Sequence, residues 1–185
     1  MTYSNHRKAL VKYAALVVLG PSIIRVFLPG TRNQLISVLI DIPFDEIATL
    51  ENQDEYRKWW ERRLDILAGE IEKSNTGNSR IYPGYKWGHA VKVLNLMMRE
   101  IVLNSRYFPD EVMERVSPWL YCPIDSIVMK GLSKLDVALP FKQINQIDTP
   151  EKFYLAQSVI EKIQAGKEEP RIWFDDVWGG REVKE

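Results

Sequence analysis

Apolar residues recur at three- and four-residue steps along most of this 185-residue chain. That spacing places them on one face of a helix. The clearest case is DEYRKWWERRLDILAGEIEK, Asp54 to Lys73, where Tyr56, Trp59, Trp60, Leu64, Leu67 and Ile71 form one stripe. Asp54/Lys58 and Arg57/Glu61 are opposite-charge i,i+4 pairs on its wet side. The pattern predicts a core-facing helix rather than a platform for stacked bases.

The same reading extends to both sides. Ser4 or Asn5 caps a first helix that stops near Gly20-Pro21. SIIRVFL is a short second helix ending at Pro29-Gly30, and Thr31 caps a third, RNQLISVLI, which must stop before Pro43. Asp45-Glu46 open another short helical start. Beyond the loop SNTGNSRIYPGY, a helix runs from about Gly88 to Asn104, and PDEVMERV follows as a short one. Asp125 begins DSIVMKGLSK, and Thr149-Pro150-Glu151 start a helix with the apolar stripe Phe153, Ala156, Val159, Ile160 and Ile163. ALPFKQINQI reads as an extended loop. The expectation is an all-α, compact multi-helix fold. One helical domain spans 1–166, its halves 1–75 and 86–166 joined by loop 74–87, and 167–185 form an aromatic and charged tail.

Composition narrows the classes. Hydrophobic content of 45% with 27% charged residues is that of an ordinary soluble globular chain. One cysteine, Cys122, excludes an intrachain disulfide and points to a reducing cytoplasm, and with two histidines a zinc site of the usual kind is not expected. No metal or cofactor is called for. HRKALVKYAALVVLG resembles a leader in charge order, but Pro21 and Arg25 break the apolar run, so it reads as a core helix and no membrane partner is expected. Net charge is zero, which argues against a uniformly basic nucleic-acid binder. From Arg80 to Lys142, however, nine Lys/Arg face six Asp/Glu, a mild local excess.

One helix carries an anomaly. GYKWGHAVKVLNLMMREIV is apolar nearly all round, yet Lys92 sits in its middle. At 100° per residue, His89, Lys92, Asn95, Arg99 and Glu100 share an arc of about 140°. That stripe is either a thin solvent-facing edge or the lining of a cleft. In a cleft, an amine between apolar walls and beside another cation sheds its proton more readily than in water, and becomes a nucleophile. Asp125 is placed as a helix cap after Pro123. A capping carboxylate is fixed, stays ionised and can stabilise a developing cation.

GHAVKV followed by CPIDSIVM resembles the signature of the helix-hairpin-helix DNA glycosylases, closest to the 8-oxoguanine branch and its archaeal members. Gly88 matches the first hairpin glycine, Lys92 the nucleophilic lysine, Val93 the small apolar residue after it, and Pro123 and Asp125 the Pro-x-Asp. Ala90 stands where the family has its second glycine. The match covers roughly Gly84 to Ser133, and the lysine-to-aspartate spacing of 33 resembles the archaeal members.

The resemblance implies a helix-hairpin-helix-like element near residues 82–103 and a DNA glycosylase, with lyase activity through Lys92 and Asp125, acting on DNA without a cofactor. Gly88, His89, Lys86 and Arg99 are the implied DNA contacts. Tyr85, Trp87, Asn95 and Cys122 are the implied base pocket. The alternative is a non-catalytic adaptor. In it Lys92, Asn95 and Arg99 hold a nucleotide, and the tail around Trp173 to Trp178 docks a protein partner.

Overall fold

The computed structural model describes residues 3–27, 29–74, 85–134, 139–165 and 170–173. The α-helices are α1 (Tyr3–Val18), α2 (Pro21–Ile24), α3 (Thr31–Ile40), α4 (Gln53–Ser74), α5 (Tyr85–Arg99), α6 (Asp110–Val116), α7 (Ser126–Lys134) and α8 (Pro150–Gln164). The fold is all-α, as the periodicity predicts, with no strand among the described residues. Among the described residues no helix is long and apolar enough to cross a membrane. Most of the joining loop at 74–87 and of the tail at 167–185 lies outside the described residues.

α5 is the central element. It packs along α4 and also meets α1 and the 3-10 turn at Ile144–Gln146. Ala90, Val91, Val93, Leu94, Met97 and Met98 are all buried, which is why the helix reads as apolar nearly all round. From α4 the stripe Tyr56, Trp59, Trp60, Leu64, Leu67 and Ile71 is buried throughout. Trp60 stacks on Phe153 of α8 with centroids 5.2 Å apart and an interplanar angle of 13°. Each such side chain contributes about 1.5–3 kcal/mol through the apolar area it removes from water.

Helix ends follow local chemistry, with three departures, the first being that α2 stops at Ile24 instead of running on to Pro29-Gly30. Thr149 Oγ1 accepts from the Lys152 amide at 3.4 Å, and Pro150 fills the first turn of α8. Ser4 and Asn5, however, lie inside α1 rather than at its cap. Before α3 the capping residue is Gly30, at φ +91°, and Thr31 is a buried first-turn residue. A left-handed turn there needs glycine, and this takes the place of the hydroxyl cap. α5 runs on into a π turn at Glu100–Asn104, closed by the Ser105 amide on the Glu100 carbonyl at 2.9 Å. ALPFKQINQI is a loop containing the Ile144–Gln146 turn, where Gln146 Oε1 accepts from the Lys142 and Gln143 amides.

α8 is tied to α4 by a polar contact at the rim of the aromatic core. The Tyr154 hydroxyl donates to Glu61 at 2.6 Å, Arg57 Nε donates to the same oxygen at 3.0 Å, and the guanidinium lies 4.2 Å from the Tyr154 ring centroid. Burial works to raise the Glu61 carboxyl, but the hydrogen bonds from Tyr154 and Arg57 outweigh it and hold it below its ordinary 4.5. A depressed carboxylate stabilises the fold fully above its unfolded value and loses that contribution as pH falls through the folded one. Stability should therefore drop as pH falls below about 4.5. Glu61 is 41% exposed, so solvent screening limits the term to on the order of 0.5 kcal/mol. Thermal melts of wild type and Tyr154→Phe between neutral pH and pH 3 check this. The variant should lose less on acidification, and an equal loss refutes the link.

Candidate active site around Lys92 and Asp125

Two elements build the site. The middle of α5 presents Lys92, and the start of α7 presents Asp125. Pro123 and the buried Cys122 and Ile124 lead the chain into α7. Asp125 Oδ1 accepts from the amides of Ile127 at 2.8 Å and Val128 at 3.1 Å, which makes it the cap of α7. Its other oxygen, Oδ2, lies 3.2 Å from Lys92 Nζ. One carboxylate thus divides its work: Oδ1 fixes the group on a helix N-terminus and Oδ2 faces the amine. The Lys92 and Asp125 side chains are 20% and 19% exposed. That is dry enough to strengthen their interaction and open enough for a reactant to arrive.

The approach to Asp125 is held from behind. Gln157 of α8 donates from Nε2 to the Cys122 carbonyl at 2.8 Å and accepts the Cys122 amide on Oε1 at 3.0 Å. This two-way clamp satisfies both backbone groups of a buried residue. It fixes the Cys-Pro-Ile-Asp segment from a helix 35 residues away in sequence. Sequence reasoning missed Gln157. The signal was a glutamine four residues after Phe153, inside the apolar stripe of α8. The buried face of that helix is Phe153, Ala156, Gln157, Ile160 and Gln164, with Val159 and Ile163 only partly covered.

The rest of the polar stripe is not a solvent-facing edge. His89, Asn95 and Arg99 are buried, and only Lys92 and Glu100 keep partial exposure. His89 meets Phe27 edge-on at 5.8 Å. Asn95 Oδ1 accepts the Trp60 indole N–H at 2.9 Å. Trp87 lies edge-on to Phe153 at 6.0 Å. The Cys122 sulfur is buried against the Pro123 carbonyl. The side chains of Tyr85 and Lys86, both in the first turn of α5, lie outside what is described.

Gly88 sits within α5 rather than before it, because the helix begins at Tyr85. Its Cα lies against the carbonyl of Ile144. A Cβ there would lie 2.2 Å from that oxygen. Close backbone approach alone therefore demands glycine at this position.

Among the described residues no three His, Cys, Asp or Glu side chains converge as metal ligands would. What the arrangement can do is nucleophilic chemistry. A reachable amine faces a fixed carboxylate that can take its proton or balance a developing cation. Comparison of the chain with protein-family models, curated proteins and solved structures finds no match.

Proposed function

We propose that the chain excises damaged or modified bases from DNA, with Lys92 as nucleophile and Asp125 as its activating carboxylate. The supporting observation is the 3.2 Å approach of Lys92 Nζ to Asp125 Oδ2, with Oδ1 engaged by the α7 amides. The target nucleotide is flipped out of the duplex so that its sugar reaches the amine. Lys92 gives up a proton to Asp125, and its nitrogen attacks C1′. The bond from C1′ to the base breaks, and the base leaves with the electron pair and takes up a proton. Asp125 passes that proton on to the departing base, and the carboxylate so restored stabilises the cation-like sugar. Nζ then loses a proton, the C1′–O4′ bond breaks with its electron pair and a proton going to O4′, and a Schiff base remains between Nζ and C1′.

The outer face of α7 carries Lys130 and Lys134, both exposed, on the helix that begins at Asp125. They supply positive charge for phosphate contacts beside the site, so binding should weaken as salt rises.

Borohydride reduction tests the reading. Duplexes carrying oxidised, deaminated or alkylated bases are incubated with the protein and reduced. The expected result is a covalent protein–DNA adduct that peptide mass mapping places on Lys92. Absence of both base release and adduct across the panel removes the reading.

A further inference from the structure

Asn95 lies three residues beyond Lys92 on α5, and its side chain has no exposure to solvent. Trp60 Nε1 donates to it at 2.9 Å. An indole nitrogen can only donate, so the atom facing it must be the amide oxygen, which fixes the amide's orientation. The amide nitrogen therefore points away from Trp60. It is buried and has no hydrogen-bond partner among the described residues. Leaving such a donor unmade is costly, and helix interiors rarely hold one without a reason. The polar groups nearest along α5 do not supply the acceptor. Lys92 is a donor, and Asp125 spends one oxygen on α7 amides and the other on Lys92.

Depth along the helix suggests what does. Lys92 keeps 20% exposure and Asn95 none, so the amine is nearer the surface and Asn95, about 4.5 Å further along α5, is the deeper of the two. A nucleotide whose C1′ meets Lys92 sends its base inward, past the lysine. We propose that the Asn95 amide is the specificity-determining donor to a keto oxygen on the edge of that base, selecting carbonyl-bearing bases over amino-bearing ones. This rests on the base-excision reading above. Trp60 acts as a positioning residue, since it holds the amide in the donating orientation.

Asn95→Asp tests the assignment, because it keeps an acceptor for Trp60 and removes the donor. Borohydride adducts are compared on duplexes bearing a keto base (hypoxanthine or uracil), its amino counterpart (adenine or cytosine), and an abasic site. The abasic site needs Lys92 but presents no base. Wild type should prefer the keto base. The variant should lose about 10- to 100-fold on it, the range expected for one hydrogen bond to a buried group, with abasic trapping within about twofold.

An equal loss on both substrates, or no loss on either, overturns the assignment. If wild type traps neither substrate nor any other base of the oxidised, deaminated and alkylated panel, the base-excision reading itself fails. Should a buried aspartate prevent folding, the double variant Trp60→Phe/Asn95→Leu removes donor and acceptor together and leaves no orphan between them. It should likewise lose keto-base trapping selectively, and an unselective loss counts against the assignment.

Discussion

Lys92→Gln is expected to form no borohydride adduct, and Asp125→Asn to form it about 10²- to 10³-fold more slowly, both on a folded protein. The two substitutions are chosen to leave the fold intact. Glutamine can still donate a hydrogen bond to Asp125 Oδ2, so no carboxylate is left buried and alone. Asparagine caps a helix about as well as aspartate, so the amides of Ile127 and Val128 keep an acceptor. With the oxygen of the substituted amide occupied there, its NH2 would face Lys92, which needs a proton acceptor and finds a donor. What is lost is the negative charge and the acceptor that faced Lys92, while the helix cap remains.

The competing possibility is that Lys92 and Asp125 form only a structural ion pair. Partly buried pairs are weak evidence of function, since desolvation offsets much of their attraction. On that view both variants retain whatever activity the wild type shows, and only the melting temperature moves. Single-turnover rates beside melts at one salt concentration separate the two. Unchanged rates in both variants would refute the catalytic assignment.

The sequence made these two residues legible for different reasons. Asp125 follows Pro123 and precedes a helical pattern, so its capping role is local chemistry, readable from a few residues. Lys92 was visible as a charge in an apolar helix. Their meeting was not readable, because it depends on how α5 and α7 pack across the intervening residues. The same holds for the remainder of the stripe. Periodicity placed His89, Asn95 and Arg99 on one side of α5, but a helical wheel is blind to what covers that side. Trp60 was legible as a core residue. That its indole N–H would reach Asn95, 35 residues on, needed the α4–α5 packing. Gln157 shows the converse: a polar residue on an apolar stripe marks a buried partner, yet names no partner. Long-range pairing, not element identity, is what periodicity leaves open.

Two glycine-to-alanine substitutions, in α4 and α5, should move stability in opposite directions. Alanine is favoured over glycine inside a helix by about 1 kcal/mol. At Gly69 of α4 a Cβ meets nothing within 4 Å, so Gly69→Ala should raise stability by about that amount. At Gly88 of α5 the new Cβ would stand 2.2 Å from the Ile144 oxygen and 3.0 Å from that of Ile147. Both are backbone atoms and cannot rotate aside. Either α5 or the Ile144–Gln146 turn must shift, an overpacking cost of about 1–3 kcal/mol that cancels and then exceeds the propensity gain. Gly88→Ala should thus be destabilised, measured by urea unfolding of both variants under one set of conditions. The consequence reaches the site, since Gly88 is four residues before Lys92 on the same helix. A shift of that turn changes the aim of the amine at Asp125, and adduct formation should fall together with stability. If Gly88→Ala is as stable as Gly69→Ala, α5 does not approach the turn as closely as the glycine implies. Gly88 would then need another reason to be there.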